Sequence, residues 1–144
     1  MEATTAPRRS EWTFAQWGLV ALATLQLLWA TAGLIAEPSI DFGDGAVTKQ
    51  VLGVDFNGVH ALSGYLLFLP AYYFALRPRW ALYYCAYVAA ALWATGVWAL
   101  FDHQPAYVFT FPNNHSDAYF HLATGTLFAI VAVVQVALDR GAAD

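Results

Sequence analysis

Long apolar runs separated by short polar breaks dominate this chain. The first run, residues 12–36, reads WTFAQWGLVALATLQLLWATAGLIA and contains no charged side chain. Three similar runs follow at 56–76, 80–101 and 118–138. At a helical rise of about 1.5 Å per residue, each is long enough to cross a hydrocarbon core of roughly 30 Å. The pattern predicts an all-α fold, a four-transmembrane-helix antiparallel bundle. One membrane domain is expected over 12–138, with polar tails at 1–11 and 139–144 and no room for a second domain.

The breaks between the runs have their own chemistry. Glu37-Pro38 ends the first run, because proline cannot continue a helix and biases its predecessor to extended geometry. In the loop 37–55 the segment AVTKQVL, residues 46–52, reads as a short amphipathic helix lying on the membrane surface. Pro70 falls inside the second run and predicts a kink. The Arg77–Trp80 turn closes a hairpin of spans two and three. The 102–117 loop carries Pro105, Pro112 and three aromatic residues, Tyr107, Phe109 and Phe111, suited to the headgroup layer or to capping the bundle. Trp12, Trp17, Trp80, Tyr107 and Tyr119 stand at run ends, where aromatic rings anchor at the interface.

Composition agrees with a lipid solvent. Of the 144 residues, 60% are hydrophobic and only 11% charged, against about 25% charged in soluble domains. Five of the six cations, Arg8, Arg9, Arg77, Arg79 and Arg140, lie on one side of the predicted bundle, and Lys49 lies on the other. The positive-inside rule makes the five-cation side cytoplasmic, so the expected topology is N-in and C-in. The first run is too long for the apolar region of a signal peptide and is read as a retained span. The single cysteine, Cys85, excludes an intramolecular disulfide and reads as an apolar packing residue.

Small residues recur in spans three and four (Ala89, Ala90, Ala91, Gly96; Gly125, Ala129, Ala132). They are expected to let these helices pack closely, within the chain rather than between copies. Gln16, Gln26 and Gln135 read as interhelical hydrogen-bonding groups.

The most specific local pattern occurs twice. Asp55-Phe-Asn57-Gly-Val-His60-Ala-Leu-Ser63-Gly64 opens span two. Asn114-His115-Ser116-Asp117-Ala-Tyr-Phe-His121-Leu-Ala-Thr124-Gly125 opens span four. In each, capping residues precede a histidine, a hydroxyl follows it at +3 and a glycine at +4. The caps satisfy free N–H groups at a helix start, and the histidine is about one turn inside. The repetition suggests a duplicated helical hairpin.

Asn57-Gly-Val-His60 with Gly64, and Asp117 with His121 and Gly125, resemble an uncharacterised family of small bacterial four-helix membrane proteins, a domain of unknown function. The resemblance covers roughly residues 12–138. It implies four helices in a bacterial cytoplasmic membrane and implies no activity.

Ionisable residues within a span are functional hypotheses by default. The leading reading of His60 and His121 is a polar lock, each imidazole bonding across helices to Asp55, Asp117, Thr95 or Gln26. With Asn57 and Asp117 it fixes the outer ends of spans two and four. The protein is then structural, or accessory to a membrane complex of other subunits or a homo-oligomer, and not an enzyme. The second reading is a transition-metal site of His60, His121, His115 and Asp117, with Asp102 and His103 nearby. The third is haem ligated by His60 and His121. Proton relay or pH sensing is also open. An enzyme acting on a lipid or quinone in the outer leaflet needs a base or nucleophile beside a lateral opening. No G-x-S-x-G, phosphate loop or basic nucleic-acid face occurs, so the expected environment is lipid and not nucleic acid.

Overall fold

A computed structural model describes residues 11–43, 45–101 and 114–142. The chain is mostly helical. Its elements in order are α1 (Phe14–Ala36), β1 (Lys49–Val51), β2 (Val54–Phe56), α2 (Gly58–Phe68), α3 (Pro70–Phe74), α4 (Pro78–Phe101) and α5 (His115–Gly141). Three of these helices, α1, α4 and α5, are long and apolar enough to cross a membrane. Much of their surface faces outward with large hydrophobic side chains: Leu25, Leu28, Tyr83 and Val133 are each at least 60% exposed. Apolar side chains on the outside as well as the inside call for a lipid surround.

Helix α1 starts with a capping box. The Thr13 hydroxyl accepts from the Gln16 backbone N–H at 3.3 Å, and the Gln16 side chain accepts from the Thr13 N–H at 2.9 Å. The helix stops at Ala36, just ahead of Glu37-Pro38.

Beyond α1 the chain departs from the sequence reading. Residues 46–52 do not form a surface helix, and the fold is not purely helical. Lys49–Val51 pairs antiparallel with Val54–Phe56, joined by Leu52 and Gly53. Both turn residues have positive φ, 53° and 86°, the geometry that keeps a two-residue hairpin matched to strand twist. The apolar spacing of AVTKQVL fits either a helix or a strand. Docking decides it: Phe56 is buried and lies directly on Gly33 of α1, where any side chain would collide with its ring.

The second predicted span is parted at Leu69, ahead of Pro70. The result is an 11-residue α2 and a 5-residue α3. Helix α2 and α3 lie along α1, joined by hydroxyl pairs at 2.7 Å between Thr31 and Tyr65 and between Thr24 and Tyr72. The Tyr84 hydroxyl of α4 donates to the Leu67 carbonyl at 2.8 Å, in the turn before the proline.

Helices α4 and α5 pack along their lengths, and both touch α1. Gly96 and Gly125 make that approach possible. A Cβ on Gly96 would sit 2.9 Å from the Ala118 carbonyl oxygen, and one on Gly125 3.1 Å from that of Ala89. Gly96 and Gly125 thus serve packing within the chain. Phe128, Leu19, Val88 and Cys85 fill the centre.

The glutamines tie one end of the bundle. Gln16 Nε2 donates to the Ala75 carbonyl at 2.7 Å, and Gln135 Oε1 accepts from the Ala15 N–H at 2.9 Å. These bonds set the start of α1 beside the end of α3 and near the end of α5, so α1 runs antiparallel to both. Arg77, Arg79 and Arg140 belong to this end. Arg8, Arg9, Asp102, His103, Pro105, Tyr107, Phe109, Phe111 and Pro112 lie outside the described residues.

Candidate functional site

At the opposite end, two asparagines position the site. Asn57 is fully buried. Its Oδ1 accepts from the His60 N–H at 3.1 Å, and its Nδ2 donates to the Asp41 carbonyl at 2.9 Å. It therefore caps α2 and holds the preceding loop. Asn114 does the same for α5. Its Oδ1 accepts from the Asp117 N–H at 2.9 Å, and its Nδ2 donates to the Gly53 carbonyl at 3.0 Å. This last bond fastens the hairpin turn to α5.

Asp117, read from the sequence as part of the cap, is instead the third residue of α5. The helix starts at His115, earlier than the 118 expected, because Asn114 has the extended backbone and the accepting side-chain oxygen that a cap requires. In cap-to-cap register, His60 aligns with Asp117, and His121 is one turn deeper. The two halves of the sequence repeat are therefore not structurally equivalent.

The structure gathers three of the four sequence-predicted ligands. His60 Nε2 and His121 Nε2 lie 3.9 and 3.3 Å from Asp117 Oδ1. The three ligand atoms lie within 4.8 Å of one another. The imidazole centroids are 6.0 Å apart. The Asp117 side chain is 4% exposed, and its Oδ1 has no hydrogen-bond donor. His115, the first residue of α5, is exposed and stands outside this trio.

The expected hydrogen-bond partners are redistributed. Asp55 holds His60 through its backbone carbonyl, which receives Nδ1 at 2.9 Å, rather than through its carboxylate. A carbonyl only accepts, so Nδ1 carries the proton. Phe56 stacks on the same ring at 4.3 Å and fixes its plane. Thr95 hydrogen-bonds the Ala91 carbonyl of its own helix. Gln26 donates to Thr124 at a long 3.5 Å.

Beneath the trio lies a cavity of about 200 Å³. Two of its walls escaped the sequence reading. Trp29 stacks on Phe120 at 5.0 Å, and both line the cavity. The available signal was the depth of Trp29: it stands well inside the first run, away from the interface where tryptophans usually anchor.

The profile of the family described as "Domain of unknown function (DUF4383)" matches residues 16–134. The chain belongs to this family. The matched segment contains both capping asparagines, the histidine–aspartate trio and every cavity-lining residue. No curated protein and no solved structure matches the chain.

Proposed function

We propose that this member of the family is a four-span protein of the cell membrane, termini cytoplasmic, that holds a divalent transition-metal ion at His60, Asp117 and His121. Helices α2 and α3 together form the fourth span, about 25 Å long at the helical rise and interrupted at Leu69. Arg77, Arg79 and Arg140 share one end of the bundle, which supports the cytoplasmic assignment of that end. The metal site then lies beneath the outer face.

One observation carries the metal reading. The Asp55 carbonyl fixes the proton of His60 on Nδ1, so in the neutral ring Nε2 presents a lone pair. That lone pair faces the carboxylate oxygen of Asp117, which has no donor of its own. Two acceptors directed at one space favour a cation between them. A backbone carbonyl on the distal nitrogen is also the usual support for a metal-bound imidazole. Ligands about 2.0–2.1 Å from a tetrahedral ion stand roughly 3.3 Å apart. The 3.3 Å spacing already fits, the 3.9 Å spacing needs a small contraction, and all three ligand atoms lie within 4.8 Å of one another. Two imidazoles and one carboxylate suit zinc or ferrous iron.

The same geometry favours a compact ion over haem. The Asp117 carboxylate lies between the rings where a macrocycle would sit.

Metal analysis of protein purified without chelators, with zinc and ferrous iron each added back after chelation, tests the reading. One ion per chain is expected in the native protein, with loss of at least tenfold in affinity in Asp117→Asn and in His121→Ala. Stoichiometric protein that binds neither ion would overturn it. The trio would then be a polar lock in a structural or accessory bundle. The Asn57–Asp41 and Asn114–Gly53 bonds, which brace the same end, support that second reading.

A further inference from the structure

We propose that the cavity beneath the trio binds the ring of a lipid-soluble quinone, entering sideways from the bilayer. The pocket shares Asp117 and its unpartnered Oδ1 with the metal site, whereas the Trp29 N–H, the aromatic walls and the lateral opening stand apart from it. The backbone of α2 packs on α1 and makes no comparable approach to α4 or α5. Side chains bridge that gap at two levels. Phe68 stacks on Phe128 at 6.1 Å below, and His60 meets Asp117 above. The chamber is the space left between these bridges.

Its chemistry selects the occupant. Six of its fifteen lining residues carry aromatic or imidazole rings, so its walls suit a flat ring. No lysine or arginine lines it among the described residues, which argues against a phosphate headgroup or another anion. A plain acyl chain is disfavoured by two polar groups that lack partners. Trp29 Nε1 is a buried donor without an acceptor, and Asp117 Oδ1 is a buried acceptor without a donor. Both residues line the chamber. Buried groups of this kind call for a partner. The hydroquinone form of a ring with oxygens at opposite edges supplies both, since each hydroxyl can accept or donate, whereas the quinone form satisfies the indole N–H alone. In the hydroquinone, one hydroxyl oxygen accepts from the indole N–H and the hydroxyl at the opposite edge donates to the Asp117 carboxylate.

Size and access agree. A cavity of about 200 Å³ holds a single substituted ring, not a whole lipid. Thr95 lines the chamber yet is exposed on α4, so the chamber reaches the lateral surface there. Thr95 stands about 9 Å inside the end of α4, a depth at which the neighbouring solvent is lipid. The quinone tail would leave through this opening.

Isothermal titration of the full-length protein in detergent tests the pocket. The probes are a p-benzoquinone bearing one isoprenoid unit and its hydroquinone, the tighter binder expected, and a saturated twelve-carbon alcohol is the acyl control. Saturable binding of one quinone per chain is expected, with no saturable signal from the alcohol. Ser63→Phe, which fills the chamber from α2, should weaken quinone binding at least tenfold. Thr95→Phe at the exposed mouth should do the same where Ser63→Phe does not fold. Trp29→Phe, which removes only the N–H and part of the ring, should weaken it several-fold. Quinone binding that survives both filling variants, equal binding of the alcohol, or no saturable binding overturns the proposal. Metal retained without quinone binding ends the pocket and leaves the metal site standing. Variant-sensitive quinone binding in protein that takes up neither zinc nor ferrous iron supports the pocket and removes the metal.

Discussion

His60 and Asp117 are both the third residue of a helix capped by asparagine, and Nε2 of one lies 3.9 Å from Oδ1 of the other. Two helix starts separated by more than fifty residues thus deliver an imidazole and a carboxylate to one place. His121, one turn into α5, completes the group at 3.3 Å from the same oxygen. Groups sharing a partner do not act independently. His60→Ala and His121→Ala should each destabilise the protein, and the double variant should lose less than the sum. The coupling should be on the order of 0.5–3 kcal/mol. Reversible unfolding in mixed micelles measures it. Additive losses would show that the rings do not share a site.

The two caps should differ in weight. Asn114→Ala removes a cap and a bond to the hairpin turn, for a loss of about 0.5–2 kcal/mol. Asn57→Ala should cost more. Asn57 is fully buried, and its loss also strips a partner from the Asp41 carbonyl, a penalty of about 1–3 kcal/mol. Thermal stability in detergent ranks the two. The reverse order would contradict the loop-holding role of Asn57.

Close packing of α4 on α5 makes Gly125 sensitive. A Cβ there would stand 2.8 Å from Trp93 Cδ1 and 3.1 Å from a backbone carbonyl. Gly125→Val is expected to cost about 1–3 kcal/mol despite valine's better helix propensity. Gly141→Val, with nothing near its Cβ, should stay within about 0.5 kcal/mol. The same unfolding titration compares them, and equal effects would refute the close approach.

Hydrogen bonds between membrane helices average about 0.6 kcal/mol and reach about 1.7. Gln16 serves the α1 cap and the Ala75 carbonyl together, so Gln16→Ala should reach the upper part of that range. Gln26 makes one bond at 3.5 Å, at the outer limit of useful geometry. Gln26→Ala should be near neutral. A larger loss at Gln26 than at Gln16 would mean the two bonds are wrongly ranked.

Topology is open to direct labelling. With Cys85 replaced by alanine, Lys49→Cys should react with a membrane-impermeant maleimide in intact cells. Arg79→Cys should react only after permeabilisation. Labelling of Arg79→Cys from outside would invert the protein and move the trio to the cytoplasmic side.

The pattern along the chain was enough for the elements whose physics is local. Length and hydropathy defined α1, α4 and α5, because a helix in lipid satisfies its own backbone without reference to neighbours. Pro38 and Pro70 marked breaks for a similar reason, since a missing N–H and a fixed φ act within one turn. The paired Asn/His pattern pointed to the right end of the bundle and to the residues that meet there.

Tertiary structure alone decided the rest. Residues 49–51 became a strand because Phe56 docks on Gly33, a contact far apart in sequence. Asp117, not the Asp55 carboxylate, became the partner of His60, because the Asn114 cap moved the start of α5 toward the hairpin. The chamber arose because α2 leans on α1 and leaves its other side to bridging side chains. Each of these outcomes depends on distances between segments that composition and spacing do not encode.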